Sequence, residues 1–194
     1  RFELYLHDAA KDFARTNFKV FKNTLDAKDS VKYIICSKLF SKDQIETLKK
    51  YAKDNKAFDL ISLSLENNEV KGQLHKVIEN ETIKQIFKDH KIKEGTIFLI
   101  AGNKAIVNQA LGAVRNVLGD MLGLKDPNKY CFVWIVNWPL YEYDEEHSRW
   151  AAAHHPFTSP TPECLKTFDK DFKNAKARAY DIVLNGYEIG GGSI

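Results

Sequence analysis

Tyr180-Asp-Ile-Val-Leu-Asn-Gly-Tyr-Glu-Ile-Gly-Gly-Gly-Ser-Ile194 is the most informative stretch of this 194-residue chain. Its centre, Asn185-Gly186, is a strong signal for a hairpin, because a type I′ turn needs a positive φ at both central residues. The runs on either side are rich in apolar residues. The sequence therefore predicts a strand over 180–184, a two-residue turn and a second strand over 187–194.

The predicted hairpin places two carboxylates on one face. Its register pairs Val183 with Glu188, and Asp181 lies two residues from Val183 and so on the same face. Diagonal cross-strand neighbours are roughly 7–8 Å apart, near enough for two carboxylates to share a hydrated cation. The second strand continues into glycines 190–192, which weaken a strand but let a ligand approach the backbone closely. Two acids beside a glycine-rich strand indicate a site for a nucleotide and a metal ion.

The overall composition is that of an ordinary globular protein, with 44% apolar residues, 28% charged residues and a net charge of +3. No window approaches the roughly 18 apolar residues of a membrane span, so none is predicted. The mild positive charge allows contact with a nucleic acid without indicating one. Three widely spaced cysteines are expected to be reduced thiols. Both ends of the chain have patterns typical of strand interiors, so we expect a piece of a longer polypeptide.

The first two thirds of the chain show an α+β pattern. Ser41 and Gln44 fit a capping box, which predicts a helix from 41 to about 56. A longer helical pattern covers 104–122, and residues 73–90 alternate between short helical patterns. Strand-like patterns cover the ranges 1–8, 18–21, 31–36, 60–65, 70–72 and 96–101. From residue 18 onward we expect these strands to form a mixed sheet with helices packed on it.

A polar proline turn at 125–129 separates this region from the rest of the chain. The apolar run 130–139 follows and ends at a proline, which is typical of a buried strand. Residues 144–148 form a hydrophilic turn, and Thr161-Pro162-Glu163 has the preferred order of cap, proline and acid for a short helix.

A second group of polar residues lies in His154-His155-Pro156-Phe157-Thr158-Ser159-Pro160, which we name the double-histidine loop. Adjacent histidines on an extended loop point in opposite directions, so one can face a ligand while the other anchors the loop. A zinc site lacks a third ligand nearby. A catalytic triad lacks a serine in a strand–turn–helix elbow. These alternatives leave imidazoles that donate to a small anionic ligand.

The double-histidine loop, the 180–193 hairpin and the strand 133–142 resemble the bacterial-type aspartyl-tRNA synthetase family, which is class II. Residues from about 18 to 123, including Leu111-Gly112-Ala113-Val114-Arg115, resemble the GAD module inserted in that family's catalytic domain. The resemblance implies an α+β fold with a GAD-type insertion beside part of an antiparallel catalytic sheet, which is formed by strands near 1–8, 130–138 and 180–194. It divides the chain into a catalytic-domain strand and lead-in (1–17), the insertion (18–124) and a catalytic-domain segment (125–194).

The resemblance also implies ligands for the individual residues. His154, His155 and Ser193 match positions that bind the aspartate substrate. Glu188 and Asp181 match acids that bind Mg²⁺ and ATP, and Gly190, Gly191 and Gly192 match the strand beneath the nucleotide. No residue of this chain is assigned a catalytic role. The implied cofactors are ATP and Mg²⁺, the implied partners are L-aspartate and tRNA, and the implied parent is a cytoplasmic homodimer.

Several family features are missing. The family's first, second and third motifs, its anticodon-binding barrel and the arginine that follows the glycine-rich strand have no counterpart here, so we expect this piece alone to be inactive. Asn137 stands where the family usually has an acid. One alternative is a non-catalytic tRNA-binding module, as in an archaeal amidotransferase with a GAD-like domain. Another is a core fragment without a ligand, in which His154 and Glu188 would be buried and satisfied by backbone partners.

Overall fold

The computed structural model describes residues 3–194. They form two compact units, residues 3–125 and Asp126–Ile194, which we call the first and second units. The four α-helices of the described chain, α1 to α4, all lie in the first unit. The combination of helices with antiparallel sheets confirms the α+β class predicted from the sequence.

The first unit is built on a five-stranded sheet with the order β1-β2-β5-β3-β4. Every neighbouring pair in it is antiparallel, so the prediction of a mixed sheet is wrong. The helices of this unit are α1 Lys19–Asp26, α2 Lys42–Asp54, α3 Asn80–Asp89 and α4 Lys104–Met121. The strands are β1 His7–Asp8, β2 Ser30–Cys36, β3 Ile61–Glu66, β4 Glu69–Gly72 and β5 Gly95–Gly102.

Two apolar layers cover the two faces of this sheet. Successive strand residues point to opposite faces, and β2 accordingly sends Tyr33 into one layer and Ile34 into the other. The layer around Tyr33 includes Phe21 of α1 together with Ile83, Ile86 and Phe87 of α3. The layer around Ile34 includes buried residues of the two longer helices, namely Leu48, Ala52, Val107, Ala110, Leu111, Val114 and Leu118.

Local sequence signals explain where α2 begins. The Ser41 hydroxyl accepts a hydrogen bond from the backbone N–H of Gln44, and the Gln44 side chain accepts one from the N–H of Ser41. The predicted capping box is therefore confirmed. It satisfies two of the backbone donors that a helix start leaves without partners.

Residues 18–21 are not a strand. They lie at the start of α1, with Phe18 in the N-cap position. Phe18, Phe21 and Leu25 are spaced by three and four residues, which is the helical rather than the strand period. Their side chains pack into one apolar layer. This packing stabilises the helix, whereas the short apolar alternation had suggested a strand.

The strand predicted over 1–8 is shorter and belongs to a different sheet than expected. Residues 1 and 2 of that prediction lie outside the described residues. Strand β1 covers His7–Asp8 and pairs with β2, not with the strands near 130–138 and 180–194. The rings explain this pairing, because His7 stacks on Tyr33 with a centroid distance of 5.1 Å and meets His90 edge-on at 4.5 Å.

Burial, and the neighbouring His90, lower the pKa of His7 below its ordinary value. The folded chain therefore binds a proton at His7 only at lower pH than the unfolded chain does. Lowering the pH through the ordinary histidine value of about 6.5 then favours unfolding. The Tyr33 hydroxyl forms a hydrogen bond with His90 Nε2 at 3.0 Å, which holds the His90 imidazole in place.

We expect the unfolding free energy of the first unit to fall between pH 7 and pH 5.5, and to fall less in a His7→Phe variant, which keeps a ring on Tyr33 but cannot titrate. Urea unfolding followed by the helical circular dichroism signal measures this, since the described α-helices all lie in this unit. Identical pH profiles for the two proteins would show that His7 does not contribute.

The second unit contains a three-stranded antiparallel sheet with the order β10-β9-β6 and a separate hairpin, β7 with β8. The strands are β6 Phe132–Val136, β7 Tyr141–Asp144, β8 Arg149–Ala152, β9 Ala179–Leu184 and β10 Tyr187–Ser193. The predicted short helix is a 3-10 helix over Pro162–Cys164. A small buried cluster is formed by Leu140, Ala175, Ala177 and Ala179.

Strand β6 is exposed, although its apolar run predicts burial. All five of its residues are exposed, including Trp134, which is 60% exposed. An uninterrupted apolar strand is buried only when both faces of its sheet are covered. The described residues 126–194 include no α-helix that could supply such a cover.

The three cysteines are free thiols, as expected. Burial raises the pKa of the Cys36 thiol to about 11. Among residues 3–194, no helix is both long enough and apolar enough to cross a bilayer.

Candidate functional site

The C-terminal hairpin has the predicted turn and register. Asn185 and Gly186 both have positive φ, 51° and 93°, and Val183 pairs with Glu188 as predicted. Beyond this pair the register shifts between Glu188 and Gly190. The extra residue of this bulge places Gly191, rather than Gly190, opposite Asp181.

The bulge brings Asp181 against bare glycine backbone. A Cβ atom built on Gly191 would overlap the Asp181 carboxylate and would lie 3.2 Å from the carbonyl oxygen of Tyr180. Only glycine leaves room for the carboxylate in this position. At Gly190, by contrast, a Cβ would make an ordinary 3.7 Å contact with Ile182. Gly191 therefore has a specific steric role that the sequence pattern alone does not distinguish.

The two acids differ in their exposure. Asp181 is half-buried and Glu188 is exposed. The pairing of Val183 with Glu188 places both acids on one face of the hairpin. Among residues 3–194, no group of three or more His, Cys, Asp or Glu side chains could hold a metal ion. Two carboxylates suit Mg²⁺, which usually takes one or two protein carboxylates and completes its shell with water and phosphate oxygens.

Hydrogen bonds join the double-histidine loop to the end of the glycine-rich strand. The Thr158 hydroxyl donates to the Ser193 hydroxyl at 3.0 Å. The backbone N–H of Ser159 donates to the carbonyl of Ile194 at 2.6 Å, and the N–H of Arg178 donates to the carbonyl of Ser159 at 2.8 Å. The structure thus brings together two segments that lie about thirty residues apart in the sequence. Thr158 is the residue that sequence reasoning missed, because nothing local shows its partner.

The side chain of His154 is half-buried and carries an unpaired nitrogen. Its Nε2 atom is buried and has no hydrogen-bond partner in the described chain. Its ring meets the Trp138 ring edge-on, with centroids 6.1 Å apart and an interplanar angle of 72°. A core histidine with full backbone satisfaction would lack such an unpaired atom. The interpretation as a core fragment without a ligand therefore does not fit His154, and it does not fit the exposed Glu188 either.

His155 anchors the loop. Its Nδ1 accepts a hydrogen bond from the N–H of Phe157 at 3.2 Å, and its carbonyl accepts one from the N–H of Thr158 at 2.9 Å. The imidazole itself is exposed beside Phe157, with ring centroids 5.0 Å apart. With Nδ1 engaged as an acceptor, its remaining nitrogen is free to donate.

The acids and glycines of the hairpin and the double-histidine loop bonded to it lie in one compact unit. The family model described as tRNA synthetases class II (D, K and N) matches residues 6–194, and the chain belongs to this family.

Within the family, the chain is similar to proteins named aspartate–tRNA ligase. It is 45% identical over 196 residues to the one from Malacoplasma penetrans and 45% identical over 197 residues to the one from Ureaplasma parvum. It is 41% identical over 207 residues to an aspartate–tRNA(Asp/Asn) ligase from Hydrogenobaculum sp.. These alignments cover 100% of this chain but only 34%, 34% and 35% of the relatives. The chain therefore spans about a third of the length of the curated relatives it matches.

Proposed function

We propose that this chain is part of an aspartate–tRNA ligase, which activates L-aspartate with ATP and transfers it to tRNA. The observation that carries the proposal is the bonding of the double-histidine loop to the glycine-rich strand through Thr158 and Ser193. It joins the residues assigned to the amino acid and those assigned to the nucleotide in one unit. The relatives with this name align with the whole length of the chain and support the same proposal.

In the proposed reaction an oxygen of the substrate carboxylate attacks the α-phosphorus of ATP. The bond between the α-phosphorus and the bridging oxygen breaks, and pyrophosphate leaves with its electron pair. His154, His155 and Ser193 would bind the aspartate, while the backbone of Gly190, Gly191 and Gly192 lets the nucleotide approach closely. Mg²⁺, held by Asp181 and Glu188, would offset the negative charge that develops on the phosphates. The role of the protein is positioning and electrostatic stabilisation.

The organisation of the parent is part of the proposal. We assign residues 18–124 to the GAD insertion, preceded by the lead-in 1–17, and residues 125–194 to the catalytic domain. The parent is proposed to be a cytoplasmic homodimer that uses ATP and Mg²⁺ and binds tRNA. The alternative of a separate tRNA-binding module is not favoured, because the family match runs through the double-histidine loop and the hairpin as far as residue 194.

The test is pyrophosphate exchange into ATP by the intact polypeptide that contains these residues. Aspartate, asparagine and lysine are compared as substrates, because the matched family covers all three specificities. We expect exchange with aspartate and none above background with the other two. Exchange supported by lysine or asparagine instead of aspartate would overturn the proposal.

We also expect the 194-residue chain alone to show no aspartate-dependent exchange. It spans about a third of its relatives, and each missing transition-state contact is worth about 10²–10³ in rate. The same assay with the purified chain and the intact polypeptide at equal concentration measures the difference. Exchange by the isolated chain above the buffer rate would show that the site is complete without the remaining sequence.

A further inference from the structure

Two buried polar atoms of the described chain have no hydrogen-bond partner, and they lie on neighbouring rings. They are Trp138 Nε1 and His154 Nε2, and the ring centroids are 6.1 Å apart. A buried polar group without a partner costs about 1–3 kcal/mol, so such groups are rare in folded proteins. That both atoms belong to one ring pair and do not bond each other points to a small shared partner between them.

The backbone holds these two rings on adjacent segments. Asn137, the residue after β6, has a φ of 61°, a left-handed conformation that asparagine adopts more readily than most residues. The chain then turns, and the Trp138 carbonyl accepts a hydrogen bond from Ala177 N–H at 2.8 Å. On the other side the N–H of Ala153 donates to the carbonyl of Leu140 at 3.1 Å. These bonds fix the backbone next to both rings.

The two nitrogens differ in whether they can donate or accept a hydrogen bond. An indole N–H can only donate, whereas a neutral imidazole has one nitrogen that donates and one that accepts. A donor next to Nε2 makes Nε2 the acceptor, which leaves the proton on Nδ1. His154 Nδ1 is not among the buried unpaired atoms and makes no hydrogen bond with residues 3–194. It is therefore available to a ligand.

We propose that Trp138 is a positioning residue that holds His154 in the Nδ1–H tautomer through one buried water, which accepts from the indole N–H and donates to Nε2, so that the imidazole donates from Nδ1 to a carboxylate ligand. The statement that this ligand is aspartate rests on the proposed function, whereas the tautomer does not. A partner on the second nitrogen commonly fixes the tautomer and orientation of a functional histidine.

The experiment is a long-range ¹H–¹⁵N correlation of the imidazoles in the ¹⁵N-histidine-labelled 194-residue chain, at alkaline pH where imidazoles are neutral. We expect the Nδ1–H pattern for His154. Trp138→Phe keeps an aromatic ring but removes the N–H, and we expect it to move His154 toward the Nε2–H pattern. Trp134→Phe is the matched control, because Trp134 is 60% exposed on β6, and it should leave the pattern unchanged.

The wild-type spectrum alone can overturn the proposal, so it stays testable even if Trp138→Phe fails to fold. An Nε2–H pattern in the wild-type chain, or an unchanged tautomer in a folded Trp138→Phe variant, would refute it. A cross-peak between the Trp138 indole proton and a bound water is expected, and a folded wild-type chain without this cross-peak would contradict the bridge.

Kinetics of the intact polypeptide test the link to the ligand. We expect Trp138→Phe to raise KM for aspartate about tenfold, the equivalent of one hydrogen bond, with KM for ATP unchanged. An equal rise of both KM values would contradict positioning of His154 toward the amino acid. If no amino acid supports exchange, the proposed function fails, while the tautomer measurement still decides the role of Trp138.

Discussion

A Gly191→Ala substitution in the intact polypeptide should reduce aspartate-dependent pyrophosphate exchange by about 10²–10³, the usual cost of one lost transition-state contact. The added Cβ would overlap the Asp181 carboxylate. The nearby Tyr180 carbonyl, 3.2 Å from the same Cβ, leaves the new methyl group little room to move away. Asp181 must then rotate from the face that it shares with Glu188. Because Asp181 is proposed to bind Mg²⁺, the variant should also need a higher Mg²⁺ concentration for half-maximal exchange.

Two other glycine substitutions separate this effect from general damage. Gly112→Ala lies in α4, where the new Cβ meets nothing within 4 Å, so exchange should equal that of the wild type. In Gly190→Ala the new Cβ makes only an ordinary contact with Ile182. This variant tests whether the hairpin still folds with an alanine in the glycine-rich strand, and the backbone amide NMR spectrum of the variant is the readout. Exchange by Gly191→Ala equal to that of Gly112→Ala would contradict the role given to Asp181.

A Phe98→Ala substitution should lower the unfolding free energy of the first unit by about 3–5 kcal/mol, the range measured for large-to-small changes in cores. Phe98 is fully buried in β5 and meets the Phe40 ring edge-on at 5.4 Å. Domains of this size are stable by only about 5–15 kcal/mol, so one such cavity removes a large share of the total.

Urea unfolding followed by the helical circular dichroism signal gives this free energy. Phe58→Ala is the matched control, because Phe58 is 94% exposed and its removal should change stability by less than about 0.5 kcal/mol. Equal effects of the two substitutions would mean that β5 is not the centre of the core.

The elements that the sequence predicted correctly are those whose pattern extends over several turns or has a capping signal. Helix α2 has a capping box, and α4 has an apolar stripe over 18 residues. Two neighbouring apolar residues just before α3 behave differently, since Ile78 is buried while Val77 is 54% exposed. Short segments are ambiguous, because four residues such as 18–21 satisfy a strand and a helix equally well.

Long-range partners account for what the sequence could not predict at the site. The Asn185-Gly186 turn fixes the first pairs of the hairpin, but the bulge beyond Glu188 depends on how Asp181 fits over Gly191. The bond between Thr158 and Ser193 and the contact between Trp138 and His154 both join separate segments. The exposure of β6 has a similar cause. An apolar run indicates that a strand is to be buried, but it does not show which residues pack over the strand.

The assignment of the double-histidine loop to the amino acid is tested by KM for aspartate and for ATP in the intact polypeptide with His154→Ala. Loss of a hydrogen bond to a charged ligand costs about 1.5–3 kcal/mol, so KM for aspartate should rise about 10- to 100-fold while KM for ATP stays near the wild-type value. His147→Ala is the matched control, since the His147 side chain is 60% exposed beside Asp144 in the β7–β8 turn, and it should change neither constant. A His154→Ala variant with the aspartate KM of the His147→Ala control would contradict the assignment of the double-histidine loop to the amino acid site.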